Sequence, residues 1–275
     1  MAIPVPRHVV AHSSRGVVVA ARIGYAAEAV VYSVLGTLAV MAAFGIAGGK
    51  LTDNKGALKA LGDQPFGSAL LWASALGMLC YALWNGVRAA LDPEHKGSSG
   101  GALFARAGYA FSAGAHVLLA VYASQLAYGS SPSSGGTQTF VGKVLRYPFG
   151  AWLVAAFGLI AIGFGIAQVV KGVKGKVGQE YQRANLAPGW CRGVQRFARV
   201  GVSARGVVFA LIGTSLVTAA LKRDSSHAEG FAQALGQLAN TPLGVGLLLF
   251  VAGGLLAYGI HLFFMARWGA FPEPR

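Results

Sequence analysis

A chain of 275 residues with 55% hydrophobic and only 12% charged side chains carries about half the charge of a soluble domain, for which roughly 25% is usual. That leaves too little polar surface for a water-exposed globule; mean hydropathy is +0.55, and the 40 glycines suit membrane helices. The formal net charge of +14 lies between long apolar runs, so anionic lipid headgroups are its expected counter-ions and nucleic acid is not expected.

An apolar helix needs about 20 residues to cross the hydrocarbon core, and six stretches qualify: Gly24–Ile46, Gly67–Ala90, Gly108–Tyr128, Phe149–Val170, Gly201–Leu221 and Leu243–Ala266. Backbone amides in lipid must be bonded within their own segment, and the alternation of a membrane barrel is absent, so the expected fold is all-α, a polytopic membrane bundle of six transmembrane helices. The first run follows a tail of about twenty residues and contains Glu28, which does not fit a cleaved signal peptide. Cys80 and Cys191 form no CxxC and no Cys/His spacing, so neither a disulfide framework nor a metal is expected.

Basic residues set the expected orientation. With the N-terminus cytoplasmic, fifteen of the 23 lysines and arginines fall on the inner side and seven on the outer, with Arg205 inside a span. The expectation is a multi-pass protein of the cytoplasmic membrane with both termini in the cytoplasm. Trp152 and Trp268 stand at span ends as interfacial anchors. The segment between spans four and five is basic (Lys171, Lys174, Lys176, Arg183, Arg192, Arg196, Arg199), with Tyr181 and Trp190 interleaved, and anionic lipid accounts for it.

Two motifs recur three times. Ala-Arg-x-Gly opens each odd span, with Arg22, Arg106 and Arg199; Pro-x-Gly opens each even span, at Pro65-Phe66-Gly67, Pro148-Phe149-Gly150 and Pro242-Leu243-Gly244. Arginine and proline are 43, 42 and 43 residues apart, and Arg22–Ala43 matches Arg199–Ala220 at 10 of 22 positions. The chain divides into an N-terminal tail (1–21), repeat 1 (22–96), repeat 2 (105–177), a basic linker (178–197) and repeat 3 (198–270). Each copy holds two spans, so all copies share one orientation about an axis along the membrane normal. Three helical hairpins around a pseudo-threefold axis follow, with close approach at small residues such as Ala73-xxx-Gly77 and Ala161-xxx-Gly165. The prolines are expected in the first helical turn. The arginines, at the start of their spans, suit anchoring at lipid phosphate or snorkelling; a shared functional role is the other reading. Ahead of each proline runs a mildly amphipathic stretch, from Gly56, Phe140 and Phe231, expected as short helices at the outer interface or folded over the bundle as caps.

These residues carry a family resemblance. Arg22-Ile-Gly-Tyr, Val31-Tyr32 and Gly36 in copy one, with Arg199-Val-Gly, Arg205-Gly206, Phe209 and Gly213 in copy three, resemble a bacterial membrane family known as domain of unknown function number 1206. The resemblance extends from about Arg22 to Arg267. Copy two departs from it, with Ala120 at the later glycine and His116 at the aromatic position. The resemblance implies membrane location and triplication; it implies no activity.

An ionisable residue inside a span is costly and functional by default. Glu28 and Arg205 share one repeat position, six residues after the arginine, where Ser112 is the third member; one turn deeper come Tyr32, His116 and Phe209. Six residues rise about 9 Å, so the group lies below the headgroups, and inward orientation is expected because lipid-facing charge is expensive. Glu28 and Arg205 are expected to approach each other, with Ser112, His116 and Tyr32 nearby. Three readings are open: a structural ion pair, a polar pathway for an ion or solute, or independent snorkelling. In the even spans Asn85 and Gln168 occupy matching positions, twenty residues after their prolines, and His261 lies one position earlier in the third copy. His116 and His261 could ligate haem or metal, but packing histidines are the commoner case and no cofactor is expected. With no HExxH, P-loop, GxSxG or paired carboxylates, the chain is expected not to be an enzyme. A non-enzymatic membrane scaffold or accessory subunit, with a membrane protein partner, is the first expectation; a small channel or transporter is the alternative, and its oligomeric state is open.

Overall fold

The computed structural model of the chain describes residues 7–93, 97–130, 136–175, 177, 188–239, 244–269 and 271, without the side chains of 7–14, 188–191 and 237–239. Pro242, Lys96, Lys176, Tyr181, Arg183 and Arg275 lie outside the described residues, as do the side chains of Arg7, Trp190 and Cys191. Among the described residues there are helices and no strand. In chain order they are α1 (Arg7–Ala43), α2 (Asn54–Gly62), α3 (Gly67–Leu91), α4 (Gly100–Ala127), α5 (Thr137–Leu145), α6 (Gly150–Val173), α7 (Pro188–Lys222), a 3₁₀ turn at Ser225–His227, α8 (Phe231–Ala239) and α9 (Gly244–Trp268). Helices α1, α3, α4, α6, α7 and α9 are long and apolar enough to cross a membrane. The chain is therefore an all-α, multi-pass membrane bundle.

The odd helices begin well before the expected spans, at Arg7, Gly100 and Pro188 instead of Gly24, Gly108 and Gly201. Hydropathy marks only the part of a helix that lies in hydrocarbon; the backbone ladder continues into polar sequence as long as no residue breaks it. In α7 this continuation takes in Pro188–Ala198, so much of the basic linker is helix.

The short helices α2, α5 and α8 fold over the bundle as caps. Each seats one apolar residue seven positions before its proline, Leu58, Val141 and Leu235, all buried. Leu58 and Leu235 belong to the central core, whereas Val141 sits in a separate small cluster with Val154, Ala219, Ala220 and Ala228. The proline does not enter the first turn. Pro65 precedes Phe66, the N-cap residue of α3, which adopts the left-handed region at φ 61°, and Pro148 precedes the N-cap Phe149. The following glycine explains the motif: a Cβ on Gly67 would collide with the Gly62 carbonyl, and one on Gly150 with the Val144 carbonyl. Pro-x-Gly is thus a tight corner that lays a span directly beneath its own cap helix.

Around the bundle, α1 packs on α3, α3 on α4, α6 on α7, α7 on α9, and α9 back on α1. The ring lacks one side: α4 and α6, the two spans of repeat 2, barely touch.

Candidate functional site

Each repeated arginine reaches across a repeat boundary to the end of the preceding even helix. Arg106 donates from Nε to the Ala89 carbonyl (2.8 Å) and from Nη2 to that of Ala90 (3.0 Å). Arg199 donates to Gly172 (3.0 Å) and Val173 (2.7 Å) in the same way. Arg22 closes the circle on the last helix through the carbonyls of Ala266 (3.1 Å) and Arg267 (2.6 Å). The last carbonyls of a helix have no partner of their own, and a cation there also complements the helix dipole. The three arginines therefore staple repeat 1 to 2, 2 to 3 and 3 to 1.

One to two turns further in, the expected polar residues meet in the interior. Glu28 is 2% exposed and His116 7%; His116 Nε2 lies 2.7 Å from Glu28 Oε1, and Nδ1 lies 2.7 Å from the Ser112 carbonyl. A carbonyl oxygen only accepts, so Nδ1 carries a proton. Nε2 then either donates to the carboxylate as part of an imidazolium or accepts from a protonated carboxyl. In both cases the pair holds one shared proton and sums to zero charge. Arg205 has different neighbours. Its Nη1 donates to the Tyr258 hydroxyl at 2.8 Å, and its guanidinium lies 5.6, 5.1 and 5.1 Å from the ring centres of Tyr32, Phe209 and Tyr258, within cation–π range. Glu28 thus takes His116, and Arg205 takes a tyrosine within an aromatic box, where the sequence suggested a direct Glu28–Arg205 approach. Ser112 lies beside His116, its hydroxyl 3.4 Å from Nδ1.

The rings that complete this layer come from the even helices. Sixteen residues after each proline stand Tyr81, Phe164 and Tyr258, and each packs on the deeper aromatic position of the next repeat: Tyr81 on His116 (4.6 Å between centroids), Phe164 on Phe209 (5.2 Å) and Tyr258 on Tyr32 (4.8 Å). One such ring pair thus stands at each of the three repeat boundaries at this level. Sequence reasoning missed all three even-helix aromatics, although their constant distance from the proline was a readable signal. It also missed Phe271, which follows α9 and closes the terminal end of the bundle against Tyr25 and Trp84 (5.4 Å each), with Arg22 5.7 Å above it. Asn85 donates to the Tyr81 carbonyl at 3.0 Å. Gln168 and His261 are buried, and the His261 ring lies 5.9 Å from that of Tyr258.

The open side of the ring has a residue-level cause. In repeat 1 a Cβ on Gly24 would strike the Tyr81 backbone and one on Gly77 would strike Ala27; in repeat 3 Gly201 meets Tyr258 and Gly254 meets Ala204 identically. In repeat 2 the equivalent of Ala27 is Phe111 and the equivalent of Gly77 is Ile160. Both are exposed (66% and 51%), and a Cβ on Gly108 would meet open space. Two bulky side chains replace a small pair, and the helices that carry them stand apart; Phe111 reaches only the Phe157 ring, at 6.3 Å.

Comparison with known proteins finds the family model described as Domain of Unknown Function (DUF1206) three times in tandem, over residues 23–92, 107–175 and 200–269. An uncharacterized protein YxxB of Bacillus subtilis (strain 168) is 34% identical over 240 residues, which is 87% of this chain and 86% of that protein. No solved structure matches.

Proposed function

The chain belongs to the DUF1206 family of tandem two-helix repeats, and for this member we propose a non-enzymatic role as a membrane scaffold or accessory subunit. It sits in the bacterial cytoplasmic membrane with both termini in the cytoplasm, where the basic ends of its spans meet anionic headgroups. The observation that carries this reading is the joining of the repeats to one another. One aromatic ring pair bridges each repeat boundary, and three arginines tie the repeats head to tail. Such a body is rigid and suits holding a partner better than alternating between states.

The second reading, a small channel or transporter, draws on the buried Glu28–His116 pair and Arg205, since intramembrane ionisable groups commonly mark ion pathways. One preparation tests both. Extracted in mild detergent from its native membrane, the protein should migrate in a discrete complex with a stoichiometric membrane partner, and after purification it should give no ion flux in liposomes above protein-free controls. A lone particle whose proton or cation flux disappears in Glu28→Gln would overturn the scaffold in favour of the channel.

A further inference from the structure

We infer that the gap between α4 and α6 is a lateral binding site for a single-chain carboxylate amphiphile, a fatty acid, with its tail between the two helices and its head at Arg205. The inference stands apart from the scaffold reading and starts from charge. Glu28 and His116 share one proton and sum to zero whichever of them holds it, so they leave the Arg205 cation unbalanced. Among the described residues no carboxylate lies within ion-pair distance of Arg205, and its Nε is buried without an acceptor. Aromatic faces stabilise a desolvated cation by much less than withdrawing a guanidinium from water costs. An anion belongs there.

Access is the second element. Tyr32, Tyr81, Tyr258 and His116 are buried, whereas Phe164 and Phe209 in the same layer, and Arg205 and Ser112 one turn shallower, are only half-buried. The half-buried ring pair is the one at the boundary of repeats 2 and 3, beside the open side of the bundle. The walls of the gap are apolar: Phe111, Phe157 and Ile160 are exposed, and Gly108 leaves room beside them. Arg205 lies about 9 Å of helix rise from Arg199, deeper than the ring of arginine staples. A two-chain phospholipid would have to draw its whole headgroup to that depth. A fatty acid has a small planar head that matches a guanidinium edge to edge, one chain to place between two helices, and a neutral protonated form in which to travel through the bilayer.

The test uses the full chain in nanodiscs of phosphatidylglycerol and phosphatidylcholine, with a palmitic acid carrying a diazirine in its chain as the probe. Labelling should concentrate on α4 and α6 around Phe111 and Ile160, and unlabelled palmitate should compete at least tenfold better than hexadecanol, which lacks the carboxylate. Arg205→Gln should lower site labelling tenfold or more. Gly108→Phe fills the gap at a position with free space, leaves Arg205 untouched, and should abolish labelling while the protein keeps its thermal stability; it decides the matter if Arg205→Gln does not fold. Equal labelling of all six long helices, or competition by hexadecanol as good as by palmitate, would overturn the inference. So would labelling that phosphatidylglycerol in the disc suppresses while palmitate does not, since the occupant would then be a phospholipid.

Discussion

Repeats 1 and 3 close as hairpins and repeat 2 does not, although all three carry the same two motifs at spacings within one residue of each other. Where Gly24 and Gly201 meet the backbones of Tyr81 and Tyr258, helices approach as closely as backbones allow, the arrangement that drives association in lipid, where apolar burial gives no advantage. Where Phe111 and Ile160 stand instead, that approach is lost and the repeat is held by its neighbours: α4 by α3 and α6 by α7. The contacts between repeats are therefore the stronger set in this molecule. Repeat 2 is less a hairpin than two helices lent to the adjoining repeats, and its cap shares the displacement, with Val141 outside the central core.

The largest expected effect lies where α4 meets the interior of the bundle. Glu28–His116 joins it to repeat 1, whereas Arg205–Tyr258 links the two spans of repeat 3. Glu28→Ala strands His116, and breaking one side of a buried pair costs about 3–5 kcal/mol. Glu28→Ala with His116→Ala should cost less than the two single changes added together, by about 2 kcal/mol in a double-mutant cycle. Tyr258→Phe removes one hydroxyl and leaves its ring on Tyr32, so about 1–2 kcal/mol is expected. Thermal unfolding in detergent reads all four variants; additive losses for Glu28 and His116 would contradict the pairing.

The fold was legible to the degree that lipid constrains sequence. Six long apolar runs admit only helices, and triplicate motifs force three like-oriented units. The role of the arginines was not legible, because Arg22, Arg106 and Arg199 look like interfacial anchors until the ends of α9, α3 and α6 are known to lie beside them. The partner of Glu28 was equally hidden. On a threefold ring Arg205 and His116 are both neighbours of Glu28, and which one bonds depends on depth: the ring on His116 comes from one turn further in and reaches back along its helix, as side chains lean towards the helix N-terminus. The open seam could have been read. Phe111 and Ile160 break a small-residue pattern that repeats 1 and 3 keep, and that signal becomes visible once the even spans are aligned on their prolines.

The hairpin comparison predicts a second, moderate effect. Gly201→Val places a side chain against the Tyr258 backbone and should destabilise by about 1–3 kcal/mol, the usual range for overpacking. Gly108→Val at the equivalent position meets open space and should stay within about 0.5 kcal/mol of the wild type, as surface substitutions do. Equal losses at both sites would mean that repeat 2 closes in the membrane as its neighbours do.

The smallest expected change in stability accompanies the largest change in shape. Phe111→Ala with Ile160→Gly installs in repeat 2 the pair that repeat 1 has as Ala27 and Gly77. Glycine in a helix interior costs about 1 kcal/mol, and closer packing of α4 on α6 offsets it, so the net shift in thermal stability should be near zero. The geometry should not stay near zero. Gly24 and Tyr81 sit backbone to backbone, so their repeat 2 counterparts, changed as Gly108→Cys and Phe164→Cys, should come within disulfide reach, about 4.4–6.8 Å between α-carbons, once the bulky pair is gone. With Phe111 and Ile160 in place the same cysteines should stay reduced under mild oxidant. A crosslink that forms equally in both backgrounds would show that these two side chains do not hold the seam open, and the cause would then lie in the cap of repeat 2 and its separate core.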